Sequence, residues 1–386
     1  MKLNKTKKRN MTGRKKGKIR TRKRQKTSKR KKIKRNMKIN FKKKITDTVL
    51  RSLQKKENKK KKIRRVKDNR KYSDTDYPYR NHTKEEATLQ FLRLRNAAEK
   101  PELSPKSLVG NVVVNYGTEK LRVKTKYRGK SNLERWNNEK SRKKMITFAK
   151  KLQQYDIDTK NVNPGVTTSL QRGISMQWAT INTMRPAAAI NIYKKYNAKR
   201  VLDFTAGWGA RMIAAAAMDI DYIGIDANRN LEAGYNKILN VIKPHTKSKI
   251  KMIFKEAEKV NFAKLPKYDL IFTSPPYEYL EVYECMVNYE KTEKFKQPSS
   301  ANCIKKDEAS GFYNDFLIPT ITNSFKHLKR GGYLCLNIPD IMYEKIKKLW
   351  KKADKKDLYV ISKRIGSNIE KDSRRGAEYI YCWKKN

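Results

Sequence analysis

From about residue 200 onward, short apolar runs alternate with longer stretches of helical period. Val201-Leu202-Asp203-Phe204, Tyr222-Ile223-Gly224-Ile225-Asp226, Ile250–Phe254, 268–272 and 333–338 read as strands, each rich in β-branched or aromatic residues. The segments 212–218, 231–242, 312–328 and 340–353 carry apolar residues at helical spacing, and 358–361 and 379–383 read as two final strands. Strands alternating with helices predict a doubly wound α/β fold. The Pro275-Pro276 pair must end the strand that precedes it, because neither proline donates to a ladder. The Gly207-x-Gly209 break between a strand and the alanine-rich 212–218 helix marks the place where such folds cradle a ligand.

The first half is patterned differently. Residues 1–71 are low in apolar residues, with basic runs such as Lys29-Arg30-Lys31-Lys32, and cannot bury enough surface to offset the entropy of ordering. This stretch is expected to be a disordered Lys/Arg-rich tail: a nuclear-localisation signal, a nucleic-acid tether, or plain solvated chain. Residues 72–165 form a small mixed α/β accessory region. Thr83 followed by Glu86 predicts a capping box opening a helix. Val112-Val113-Val114 and 121–125 predict two short strands around Tyr116-Gly117, and 132–152 a helix. The basic positions of that helix (Arg142, Lys143, Lys144, Lys150, Lys151) lie along phosphates or simply face water. Asn163-Pro164-Gly165 is a turn and a boundary, after which 166–386 forms the catalytic domain. There, 175–178 and 184–190 lead into a helix through Tyr196.

Charge changes the picture more than length does. The 386 residues carry 95 Lys+Arg and 37 Asp+Glu, a net +58. Residues 1–70 hold 35 of the bases and three acids (Asp47, Glu57, Asp68), so the body remains basic without its tail. Such a chain seeks polyanions, and nucleic acid is the expected partner. The four cysteines (285, 303, 335, 382) form no Cys-x-x-Cys pair and the histidines are scattered, which speaks against a zinc site or a disulfide scaffold. A reducing compartment fits. No apolar run approaches the ~20 residues of a membrane span, and the N-terminus lacks the apolar core of a secretory signal.

Three motifs concentrate the chemistry. The glycine turn runs Asp203-Phe204-Thr205-Ala206-Gly207-Trp208-Gly209-Ala210-Arg211. Asp226 ends the next strand 23 positions after Asp203, near the spacing of about 20 at which a ribose-binding acid follows such a turn. Thr273-Ser274-Pro275-Pro276-Tyr277 follows the fourth strand directly. Together these resemble the S-adenosylmethionine-dependent amino-methyltransferases that act on the exocyclic nitrogen of cytosine (N4) or adenine (N6). The wording Ala206-Gly207-Trp208-Gly209, Tyr222 to Asp226 with Asn228, and Thr273 to Tyr277 with Glu281 and Tyr283 is most similar to predicted DNA methylases of phages and large DNA viruses. The likeness spans about 168–383.

The resemblance implies a Rossmann-like class I methyltransferase fold with a mostly parallel seven-stranded sheet and an antiparallel terminal hairpin. It implies that Asp203, Thr205, Ala206, Gly207 and Gly209 hold the cofactor, with Asp203 near its methionine end. Asp226 would hold its ribose hydroxyls, Asn228 would join the cofactor site, and Glu256 after the third strand would serve its adenine amine or only the surface. The segment before the first strand would close over its methionine end. It further implies that Ser274, Pro275, Pro276 and Tyr277 form the catalytic loop. Ser274 and the Pro275 carbonyl would draw amine hydrogens out of the base plane, and Tyr277 would stack on a base flipped from the duplex. Serine in place of the carboxylate common in adenine enzymes leans toward cytosine. No metal enters the scheme. The long segment 278–311, with Tyr279, Tyr283, Tyr289 and Phe295 among lysines, suits unstacked bases. Two other readings fit the residues: an RNA base methyltransferase, and a basic nucleic-acid-binding protein whose methyltransferase domain is inactive. An intracellular setting is expected, in the cytoplasm or nucleus of a host cell or with a virion. The target sequence and oligomeric state are not legible.

Overall fold

The computed structural model describes residues 69–104, 107–127, 130–160, 163–178, 180–276, 311–360 and 377–386. The expectations for the basic tail, for Tyr277 and for the aromatic-rich segment that follows it fall outside the described residues.

Strands β3 (Arg200–Asp203), β4 (Asp221–Asp226), β5 (Ile250–Phe254), β6 (Tyr268–Thr273), β7 (Leu328–Asn337), β8 (Lys355–Val360) and β9 (Ala377–Lys384) form one sheet ordered β5-β4-β3-β6-β7-β9-β8. Pairing is parallel from β5 through β7, and β9 runs antiparallel to both β7 and β8. This is the expected Rossmann-like, mostly parallel seven-stranded sheet with its antiparallel terminal hairpin. Alternation along the strands explains the two cores. Val201, Tyr222, Leu270 and Phe272 join one, and Leu202, Ile223, Ile225 and Ile271 the other. Helices α6 (Pro186–Lys195), α7 (Ala210–Ala217) and α8 (Glu232–Ile242) contribute to the first core. Helices α9 (Ile318–His327) and α10 (Asp340–Leu349) contribute to the second. Residues 329–332 lie within β7, as an irregularity in its pairing with β6.

Upstream, α1 (Lys84–Ala98) opens on the expected capping box. The Glu86 N–H donates to the Thr83 hydroxyl, and the Glu86 carboxylate accepts from the Thr83 N–H. The two strands expected at 112–114 and 121–125 are instead one helix, α2 (Asn111–Lys124). Three adjacent valines favour a strand locally, but packing decides otherwise. Val113, Val114 and Thr118 are buried, and Thr118 bonds back to the Val114 carbonyl as helical residues do. Gly117 lets α2 pack backbone to backbone on α8. A Cβ there would lie 2.6 Å from the Gly234 carbonyl oxygen and 2.5 Å from Ile238. Only a two-residue hairpin, β1 (Lys126–Tyr127) with β2 (Lys130–Ser131), is strand-like among the described residues of this region. The buried faces of α1 and α2 join the core under the sheet.

The helix expected over 132–152 is two, α3 (Asn132–Asn137) and α4 (Glu139–Lys160). With α5 (Val166–Gln177) and the chain around Tyr77 they enclose a satellite core of Trp136, Met145, Ala149, Leu170 and Ile174. The Trp136 indole N–H donates to the Thr75 carbonyl, 2.7 Å, anchoring the leading segment.

The Gly117 contact yields a prediction. Gly117→Ala improves intrinsic helix propensity by up to about 1 kcal/mol. The methyl group nevertheless meets backbone that cannot yield without moving a helix. Net destabilisation of about 1–3 kcal/mol is expected in chemical denaturation. A variant as stable as the wild type would contradict the helix crossing.

Candidate active site

The sheet reverses its winding at β3, which has β4 on one side and β6 on the other. In such sheets the crevice outside the carboxyl ends of the strands at this point binds ligands. The glycine turn leaves β3 here, and Ser274-Pro275-Pro276 leaves β6 beside it. Asp226 ends β4, and Glu256 follows β5. The topology therefore gathers the expected residues along one edge.

The turn is shaped by φ angles that only glycine adopts readily. Gly207 has φ +59° and Gly209 φ +83°. Gly209 is the N-cap of α7 and has no side-chain cap, so the first turn of the helix points its N–H groups toward the crevice. Around Gly207 a Cβ would meet only the Thr205 carbonyl, 3.8 Å away, so the backbone there is open to close approach. Asp226 holds the turn from one side: its carboxylate accepts from the Gly207 N–H (2.7 Å) and the Asn228 N–H (2.9 Å). The Tyr235 hydroxyl on α8 donates to the Gly207 carbonyl, 2.9 Å, and holds it from the other. The Ala206 N–H donates to the Ile225 carbonyl, tying the turn to β4.

Burial raises the Asp226 carboxyl to about 6, with the Asp203 charge adding to the rise and the two N–H donors opposing it. Asn228 turns its side chain to the Asn230 N–H and caps a short 3₁₀ turn (Arg229–Leu231). Its backbone, rather than its amide group, supports Asp226. Glu256 is mostly buried and pairs with Lys259, 3.2 Å, at the carboxyl end of β5.

Asp203 departs from expectation. It is fully buried and does not face the crevice. Its carboxylate accepts from Arg211 Nε (2.6 Å) and Nη2 (3.2 Å), the Tyr222 hydroxyl (2.6 Å) and the Thr273 hydroxyl (2.8 Å). Arg211 Nη2 also donates to the Thr205 carbonyl. Burial would lower the Arg211 guanidinium, but the Asp203 charge outweighs it and holds it above its usual range. Burial, then the same carboxylate, pushes the Tyr222 phenol well up, so it stays a donor. Asp203 thus organises the turn from beneath. The reason is local: Arg211 lies on the first turn of α7, within reach of the end of β3, and it claims the carboxylate.

The loop after β6 is pinned to this network. Thr273 donates to Asp203, and its hydroxyl touches that of Thr205. The Thr205 hydroxyl donates to the Ser274 carbonyl, 3.0 Å. The Ser274 hydroxyl donates to the Asn337 carbonyl at the end of β7, 3.3 Å. Pro275 is buried and Pro276 half-buried. Tyr235 lies outside the motifs, and the motif positions Tyr222 and Thr273 had no assigned role. The only signal was a polar group on each of three otherwise apolar buried faces.

No family model matches the chain, and no curated protein matches it. Among solved structures it is similar to a class I S-adenosylmethionine-dependent methyltransferase from Listeria monocytogenes described as putative, at 14% identity and TM-score 0.35, covering 78% of this chain and 88% of that one. It is also similar to TrmN from Thermus thermophilus, at 12% and 0.33, covering 58% and 68%. A third is TehB from Haemophilus influenzae, at 13% and 0.33, covering 55% of this chain and 66% of that one.

Asp226 generates a pH prediction. A carboxyl whose folded value is raised contributes stability that is fully present below its unfolded value, about 3.8, and lost as pH rises through about 6. Lowering the pH from 7.5 to 5 should therefore stabilise the wild type relative to Asp226→Asn by about 1 kcal/mol. Parallel denaturation curves at the two pH values check this. An unchanged difference between the two proteins would contradict the buried environment of Asp226.

Proposed function

We propose that this chain transfers a methyl group from S-adenosylmethionine to the exocyclic amine of cytosine (N4) or adenine (N6) in DNA. The observation that carries the reading is the attachment of the Ser274-Pro275 loop to the glycine turn at the switch point of the sheet. An acceptor pair for an amine and a cradle for a cofactor are thereby neighbours.

The residues present fit the cofactor. An open glycine backbone at Gly207, the N–H groups opening α7, the Asp226 carboxylate and the partly buried Glu256 offer complementary groups for an amino-acid end, a ribose and an adenine. Thr205 and Ala206 would support the turn, with Asp203 beneath it. When bound, the cofactor supplies an activated methyl group on a sulfonium.

This chain's own residues would do the rest. A base amine is a weak nucleophile because its lone pair is delocalised into the ring. The Ser274 oxygen, its hydrogen turned to Asn337, would accept one amine hydrogen and the Pro275 carbonyl another. Pulled out of the ring plane, the lone pair localises on nitrogen. No strong base is needed before attack, so catalysis rests chiefly on positioning. Tyr277, next in sequence, would stack on the flipped base. The aromatic-rich 278–311 and the accessory region 72–165 would supply recognition.

Charge supports a polyanionic substrate. Lys140, Lys144, Lys150 and Lys151 are exposed on α4, whereas Lys143 pairs with Glu139. The basic tail would tether the enzyme through counterion release, so binding should weaken steeply with salt. Basic charge serves RNA equally, so RNA is the second substrate to test.

The full-length protein is incubated with methyl-labelled S-adenosylmethionine and unmodified duplex DNA or folded RNA, and the nucleosides are identified by mass spectrometry. Labelled N4-methylcytosine or N6-methyladenine from DNA is expected. Ser274→Ala should reduce transfer about 10²-fold or more, the order found for one lost electrostatic donor or acceptor at a reacting centre. Transfer to RNA alone would replace the DNA reading. Transfer to neither would favour a binding protein with an inactive domain.

A further inference from the structure

Thr205 stands in the glycine turn, yet its side chain points to the neighbouring loop. Its backbone is held from below: the Arg211 guanidinium donates to its carbonyl, and its N–H lies 3.4 Å from Asp203 Oδ1. Its hydroxyl reaches across to the Ser274 carbonyl, 3.0 Å, and touches the Thr273 hydroxyl, which itself donates to Asp203. The ring Asp203–Arg211–Thr205–Ser274–Thr273–Asp203 therefore closes through one threonine hydroxyl.

The Ser274 carbonyl belongs to the Ser274–Pro275 peptide plane. That plane is rigid, proline fixes the next φ, and Pro276 confines the ψ of Pro275 to extended values. Holding one carbonyl in place thus restricts both the Ser274 side chain before it and the Pro275 carbonyl after it. These are the two acceptors assigned above to the amine.

We infer that Thr205 is a positioning residue that couples the occupied glycine turn to the geometry of the amine-accepting loop. The inference rests on the reading of the turn as a cofactor cradle. A ligand that rigidifies the turn fixes the Thr205 backbone, and the hydroxyl passes that order to Ser274. Catalytic geometry is then complete only when the cradle is filled. Losing the hydroxyl should leave the cradle nearly intact and loosen the loop.

The test uses the full-length wild type, Thr205→Val, which keeps shape and removes the hydroxyl, and Thr205→Ser, which restores it. Three quantities are read on each: affinity for S-adenosylhomocysteine by calorimetry, single-turnover methyl transfer at saturating cofactor, and hydrogen exchange at 268–274 with and without S-adenosylhomocysteine. In the wild type the ligand should slow exchange at Thr273 and Ser274. In Thr205→Val the affinity should stay within about 3-fold, the ligand should no longer slow exchange at those residues, and transfer should fall about 10- to 100-fold, as misplacement of reacting groups does. Thr205→Ser should recover protection and rate to within about 3-fold of wild type.

Ligand-induced protection unchanged in Thr205→Val, or lost equally in Thr205→Ser, would overturn the coupling. A folded wild type that binds no S-adenosylhomocysteine would overturn the cradle reading, and the coupling would fall with it. A wild type that binds the ligand but methylates neither DNA nor RNA leaves hydrogen exchange to decide the coupling alone. Thermal melts of both variants separate a failure to fold from a failure to couple.

Discussion

The buried pairing of Asp203 with Arg211 is the constraint on which the site depends. A guanidinium and a carboxylate taken together out of water gain little net stability, but removing either partner alone strands a charge and costs about 3–5 kcal/mol. The pair is therefore demanding, and it is fully served. Tyr222 from β4 and Thr273 from β6 complete the shell of Asp203, and Arg211 Nη2 also donates to the Thr205 carbonyl. Three adjacent strands and the first turn of α7 thus converge on one carboxylate. That convergence fixes where the glycine turn starts, how α7 is aimed, and where the loop after β6 departs. Specificity of structure, rather than stability, is what such a network confers.

Much of this architecture was legible in the sequence because it depends on period and punctuation. The apolar runs of β3 to β6 and the hairpin of β8 and β9 lie where alternation and turn residues put them. So does the capping box at Thr83. The glycine turn, Asp226 and the Ser274-Pro275 loop fall on one edge of the sheet, as their places at strand ends required. Two features were not legible. The valine triplet of α2 follows its local β preference on paper, but burial of Val113 and Val114 and the close approach of Gly117 to Gly234 go with a helix. That contact joins residues more than 110 positions apart and leaves no local trace. Asp203 was read as a cofactor ligand because of its place in the motif. Its true partners, Arg211, Tyr222 and Thr273, are set by a buried geometry that spacing along the chain does not encode.

The same comparison separates scaffold from chemistry. The groups beneath the crevice are saturated: Asp203 has five donor atoms within hydrogen-bonding distance, and Gly207 is held at both its N–H and its carbonyl. Asp226 is the exception, a carboxyl that burial holds near 6 despite two N–H donors. Carboxyls displaced in this way recur at functional sites. Hydroxyl groups of a ribose would relieve this displacement by adding donors.

The account therefore turns on whether Asp226 and the glycine turn hold the cofactor. The most direct measurement is calorimetric titration of full-length protein with S-adenosylhomocysteine at pH 8, beside Asp226→Ala. One-to-one binding by the wild type, weakened at least about 10-fold in the variant as expected for loss of a charged hydrogen-bonding partner, is the predicted result. Binding indifferent to Asp226, or no binding by a folded wild type, would contradict it.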